Sequence, residues 1–225
     1  MNDYLSLLQG YYKYLLLGKF FEHQAQTQLL GLEENLQIET GDHTKFTLRA
    51  SQIASLLADM HQYPDAKNVF GYLTEVSAFR GIFSIMREMI EKLPTFRWML
   101  QEMFGDQYFA FEQVIRFLRN VLSHSTTPSI LIQLADFQKQ QEFLLSKKVK
   151  KIRLHFVYAN HLEEWEGSPT YACDISLDLF TLRPLSPLMS VVSVHQMYLL
   201  SELCFNVSKI IAGRVTQQKK KTAKK

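Results

Sequence analysis

Phe111-Glu112-Gln113-Val114-Ile115-Arg116-Phe117-Leu118-Arg119-Asn120-Val121-Leu122-Ser123-His124 is the stretch that decides how this chain is read. A helix turns about 100° per residue, so positions three and four apart share a face. On that projection Val114, Ile115, Phe117, Leu118, Val121 and Leu122 form one continuous apolar arc. Glu112, Gln113, Arg116, Arg119, Asn120, Ser123 and His124 fall on the other side. The segment is therefore an amphipathic helix. Ser125-Thr126-Thr127-Pro128 follows at once and ends it, because the residue before a proline avoids helical backbone.

Helical periodicity continues outward from this element. Asp3 to about Leu36 is helical, with Leu5, Leu8, Tyr12, Leu15 and Leu16 as a stripe and Gly10, Gly18 and Gly31 as breaks or close contacts. Ile38 to Lys45, with Gly41-Asp42, is a polar loop. Leu48 to Met60 is a second helix and Asp65 to Leu93 a long third one. Pro94 opens a short helix to Met103. Pro128 opens another to about Lys147, and Ser190 to about Arg214 is the last.

Between those last two the period changes from 3.6 to 2. Lys151 to Tyr158 and Asp174 to Leu182 alternate as strands do, around an acidic loop from His161 to Thr170. The expected fold is mainly α: a helical bundle with a small antiparallel β-hairpin inserted at about residues 151–183. One helical domain over 1–215 is expected, followed by a disordered basic tail over 216–225.

Charge narrows the function classes. The chain of 225 residues carries a net charge of +3, but five lysines lie in the tail (Lys219, Lys220, Lys221, Lys224, Lys225). Without them 20 basic residues face 22 acidic ones, so the body has a net charge of −2. The basic balance belongs to the tail and gives no general nucleic-acid surface. The apolar share of 47% argues for a sizeable core rather than disorder. Cys173 and Cys204 have no metal-ligand spacing and read as cytosolic thiols. Met1-Asn2-Asp3-Tyr4 has no basic leader character, and no apolar run is long enough for a bilayer; a cytoplasmic location without membrane contact is expected.

Phosphate-loop, dinucleotide, zinc-protease and esterase motifs are all missing. His23, His155, His161 and His195 lack clustered partners, and Glu163, Glu164 and Glu166 suit a solvated loop tip. No metal and no cofactor is expected.

Chemistry is suggested in one place, Arg119-Asn120-Val121-Leu122-Ser123-His124. With nine Arg, six Asn and seven His in the chain, about 0.01 strings of this form arise by chance, which weighs against coincidence. Imidazole can move a proton near neutral pH. A guanidinium offers a cationic fork to phosphate oxygens. A neighbouring carboxamide can orient either group. Together they suit cleavage of RNA by its own 2′-hydroxyl. The plainer alternative is a solvated helix face with a histidine near the negative end of the helix dipole.

An R-N-x-x-x-H string ending a helix in an all-helical chain resembles the HEPN superfamily (higher eukaryotes and prokaryotes nucleotide-binding domain), over roughly Phe111 to Pro128. The resemblance implies a helical bundle, metal-independent endoribonuclease activity, and a role as a toxin or phage-defence effector. It implies Arg119 and His124 as catalytic residues, with Asn120 as the polar residue after the arginine. It also implies a homodimer whose two Arg–His pairs line one cleft, with RNA as substrate and an antitoxin or regulatory protein as a partner. Arg116 and Ser123 are expected in supporting roles, and Lys150 and Lys151 as phosphate contacts. In toxins of this type controlled by a nucleotidyltransferase, the histidine is followed by x-Tyr. Here Ser125-Thr126 follows His124, a departure from that mode of control. A non-catalytic nucleotide- or protein-binding module, and a structural adaptor in which the string is coincidental, are the rival readings.

Overall fold

A computed structural model describes residues 2–27, 36–39, 45–48, 70–124, 130–159 and 170–222. Its elements are α1 (Asn2–Thr27), β1 (Leu36–Glu39), β2 (Lys45–Leu48), α2 (Phe70–Lys92), α3 (Pro94–Phe104), α4 (Tyr108–His124), α5 (Leu134–Ser146), β3 (Ile152–Ala159), β4 (Thr170–Leu177) and α6 (Val194–Thr222). The protein is mainly helical with a two-stranded antiparallel hairpin, β3–β4, before the last helix. No helix among the described residues is long and apolar enough to cross a membrane.

The chain divides into two compact units, Met1–Tyr12 with Ala78–Lys225, and Lys13–Ser77. In the smaller unit β1 and β2 pair antiparallel, from Leu36 opposite Leu48 to Glu39 opposite Lys45. Ile38, Glu39 and Lys45 therefore belong to strands, where a polar loop is expected from sequence. Leu36 and Ile38 against Phe46 and Leu48 supply the pairing residues, and runs of four are too short to carry a periodicity signal. The helix expected over Leu48 to Met60 lies outside the described residues apart from Leu48, which ends β2.

The larger unit holds the motif helix. Phe111, Val114, Ile115, Phe117, Leu118, Val121 and Leu122 of α4 are all fully buried. Phe79, Phe83, Phe96 and Phe137 are buried as well, which makes the core rich in aromatic side chains. Rings stack at 4.4 Å between Phe104 and Phe111, and meet edge to face at 5.1 Å between Phe79 and Tyr198. Gly81 lets α1 approach α2, since a Cβ there would lie 2.4 Å from the Tyr11 ring. Arg80 of α2 donates from Nε to the carbonyl of Leu122 at 2.6 Å, satisfying an acceptor the end of α4 leaves open.

The β-hairpin follows its alternation. Ile152, Leu154 and Phe156 face the core with Cys173, Ile175 and Leu177, while Arg153, His155 and Asp174 face out. The second strand is Thr170–Leu177, earlier than the Asp174–Leu182 expected. Asp178 accepts from the backbone N–H groups of Phe180 and Thr181 through Oδ1, which turns the chain out of the sheet. Leu179 remains buried after that turn, so the hydrophobic alternation outlasts the strand.

Helix boundaries move for local reasons. α5 begins at Leu134, not Pro128, because Ile130–Ile132 is extended and bonds to the exit loop: Ile132 donates to Ser186 and Leu185 donates to Ile132. α5 stops where Lys148 adopts a left-handed φ of 56° and Val149 donates back to Leu144 at 3.0 Å. α6 begins at Val194 because Ser193 and Gln196 cap it reciprocally. It continues to Thr222, so residues 216–222, expected to be disordered, are helical. Gln217, Gln218 and the lysines are good helix formers with no breaker among them.

Candidate functional site

The polar side of α4 faces two neighbours. Arg116, Arg119 and Asn120 lie one turn apart on it, and beside them run the second half of α2 and the start of α5. His124 is the last residue of α4.

His124 is held from below. Its Nδ1 lies 2.6 Å from Oδ1 of Asp136, with the imidazole 53% exposed and the carboxylate 0% exposed. The other carboxylate oxygen, Oδ2, accepts the backbone N–H of Gln133 at 2.7 Å. That bond closes the first turn of α5, so the carboxylate serves both a helix terminus and the imidazole. A carboxylate can only accept, so the proton between the two groups belongs on Nδ1. In the neutral ring the outward Nε2 is then the acceptor.

Asn120 ties the arginine to the same element. Its Nδ2 donates to the carbonyl of Asp136 at 3.0 Å, and its Oδ1 accepts from Nη1 of Arg119 at 3.3 Å. Arg119, Asn120, Asp136 and His124 thus form one connected chain of hydrogen bonds across α4 and α5. Arg119 is exposed and has no ion-pair partner among the described residues.

Beside Arg119 opens a cleft of about 300 Å³ among α2, α4 and α5, lined by Arg87, Glu91, Arg116, Arg119, Lys139 and Gln140 among others. His124 is not part of its lining. Arg87 is committed to Glu91 and, at 3.2 Å, to Glu112. Arg116 lies 3.6 Å from Glu112 and over the Phe143 ring at 5.5 Å. Burial, and secondarily the charge of Arg87, push its ionisation constant below the usual arginine value. Glu88 is held below the usual carboxylate range by its hydrogen bond to Lys92.

The other expected residues take separate places. Ser123 is exposed near the helix end, and Lys150 and Lys151 are exposed ahead of β3 without lining the cleft. Gln113, placed on the polar face by projection, is 1% exposed instead and bonds with Gln140. Asp136, Lys139 and Gln140 are missed by the sequence reading. The readable signal for Asp136 is Gln133-x-x-Asp136, an N-terminal capping pattern, masked when the helix is begun at Pro128. Among the described residues no three His, Cys, Asp or Glu side chains converge as metal ligands would.

No family model, no curated protein and no solved structure matches this chain.

Proposed function

We propose that this protein is an endoribonuclease of HEPN type that cleaves RNA by general acid–base chemistry, acting as a homodimer. The observation that carries the reading is His124, whose Nδ1 is anchored on a buried carboxylate while its Nε2 has no hydrogen-bond partner among the described residues on a half-exposed ring. This is the arrangement a catalytic base needs: fixed ring, fixed tautomer, open acceptor. Nε2 takes the 2′-hydroxyl proton as that oxygen bonds to phosphorus, and the bond from phosphorus to the 5′-oxygen breaks. The leaving oxygen takes a proton from the second chain's imidazolium. Arg119, held by Asn120, answers the charge that builds on the phosphorane oxygens. The products are a 2′,3′-cyclic phosphate and a 5′-hydroxyl. A toxin or phage-defence setting, with an antitoxin or regulatory partner, belongs to the same proposal.

Purified protein incubated with RNA in EDTA tests it. Cleavage leaving cyclic phosphate ends, lost in both Arg119→Ala and His124→Ala, is the expected result. A folded dimer that leaves varied RNAs intact sinks the enzyme.

A second reading, a non-catalytic binding module, draws on the cleft, whose cationic lining includes Arg119 but not His124. It expects RNA or nucleotide binding without strand scission.

A further inference from the structure

The cleft between α2, α4 and α5 has an uneven charge account. Its acidic members are already engaged: Glu91 with Arg87, and Glu88 with Lys92 at 2.9 Å. Arg87 and Arg116 both turn to Glu112. Arg119 and Lys139 remain, and neither has an ion-pair partner among the described residues. Arg119 helps to hold the Glu88 carboxylate ionised, yet the cleft lining still carries four basic side chains, Arg87, Arg116, Arg119 and Lys139, against two acidic ones, Glu88 and Glu91. An anion entering there meets a deficit of negative charge that the fold itself does not fill.

Gln140 adds a second feature. It lines the same cleft and is 2% exposed, and its Nε2 donates to the backbone carbonyl of Gln113 at 2.8 Å. That contact fixes which arm of the amide is the donor. The other arm, Oε1, is a buried acceptor with no hydrogen-bond donor to satisfy it. Unmet buried acceptors are uncommon and call for a partner. The excess of positive charge suits a phosphate, and a ribose phosphate carries one.

We infer that this cleft is a phosphate seat for RNA, in which Lys139 holds the phosphate next along the strand from the one that Arg119 and His124 share. The identity of the ligand rests on the ribonuclease reading; the excess of positive charge does not. Arg119 is the link between the two positions. Through Asn120 it belongs to the His124 network, and through its guanidinium it lines the cleft. The strand would then run from the exposed edge of His124 across Arg119 toward Lys139.

Binding measured apart from cleavage tests this. The full chain carrying His124→Asn, which removes the base, is titrated with a labelled oligoribonucleotide at several salt concentrations. Adding Lys139→Gln is expected to weaken binding about tenfold and to reduce the slope of log affinity against log salt by about one, the signature of one lost phosphate contact. Lys209→Gln, an equal charge change on an exposed face of α6, is expected to leave both unchanged. Equal behaviour of the two variants overturns the seat. A phosphopeptide that binds with Lys139 dependence while the oligoribonucleotide does not overturns the RNA assignment. Cleavage by the unmodified chain is scored separately. Scission without Lys139-dependent binding removes the seat and leaves the ribonuclease, and the reverse result removes the ribonuclease and leaves the seat.

Discussion

His124 at the end of α4 and Asp136 in the first turn of α5 meet through Nδ1 and Oδ1 at 2.6 Å, an exposed imidazole resting on a fully buried carboxylate. The carboxylate has an anchor of its own besides the imidazole, because Oδ2 is bound by the N–H of Gln133. Orientation of the imidazole is therefore a property of how α5 begins, twelve residues along the chain from His124.

Asp136→Asn separates orientation from presence. One amide arm can still accept from Gln133, but the other then presents N–H toward Nδ1 and drives the imidazole to the opposite tautomer. RNA cleavage is expected to fall by about a hundredfold or more with the fold retained. The checks are the cleavage rate beside a circular dichroism spectrum. An unchanged rate in a folded variant excludes Asp136 as the residue that positions His124.

Gly81→Ala tests the contact of α1 with α2 inside the larger unit. Alanine is the better helix former by about 1 kcal/mol. Its Cβ would lie 2.4 Å from the Tyr11 ring, and the strain of overpacking costs about 1–3 kcal/mol. The net expectation is a lower urea midpoint, restored by adding Tyr11→Ala. A midpoint that rises in the single variant contradicts the close approach.

The two thiols should be inert in the folded protein. Burial pushes the Cys173 thiol up to about 11 and that of Cys204 further still. The thiolate is the reactive form, so at pH 8 neither is expected to react with iodoacetamide at more than about a hundredth of the rate of a free cysteine. Mass spectrometry after timed labelling, with and without urea, reads this directly. Rapid labelling of Cys204 without denaturant contradicts its place in the core.

Tyr108 sets a stability change at high pH. Burial, with the nearby charge of Glu112, pushes its phenol up to about 12. A raised folded value means that its contribution is complete below the ordinary tyrosine range near 10 and is lost as pH rises toward about 12. Tyr108→Phe cannot ionise. The gap in urea midpoint between the variant and the unmodified chain is expected to shift in favour of the variant between pH 9.5 and 11.5, and a gap constant over that range refutes the assignment.

Much of the architecture is legible in the sequence because apolar spacing is a local record of burial. The apolar arc of α4 became its buried face, and Pro94 and the switch to period 2 after Lys147 marked real elements. Boundaries failed where a side chain outranked the pattern. Asp178 turned the chain out of β4 although Leu179 still packs inward, and Ile130–Ile132 paired with the exit loop instead of coiling. Gln113 failed differently: its buried amide is satisfied by Gln140, and no projection of a single helix can anticipate a partner on another.

The candidate site divides in the same way. Arg119, Asn120 and His124 were legible, since residues within two helical turns have fixed relative positions whatever else the chain does. Their surroundings were not, because hydrogen bonds and ion pairs act over a few ångströms while their partners lie anywhere in sequence. The sequence by itself determined an amphipathic helix carrying an arginine, a carboxamide and an imidazole. Only the tertiary structure decided that Asp136 holds the imidazole, that Glu112 draws off Arg87 and Arg116, and that Arg119 and Lys139 line one cleft in which basic side chains outnumber acidic ones.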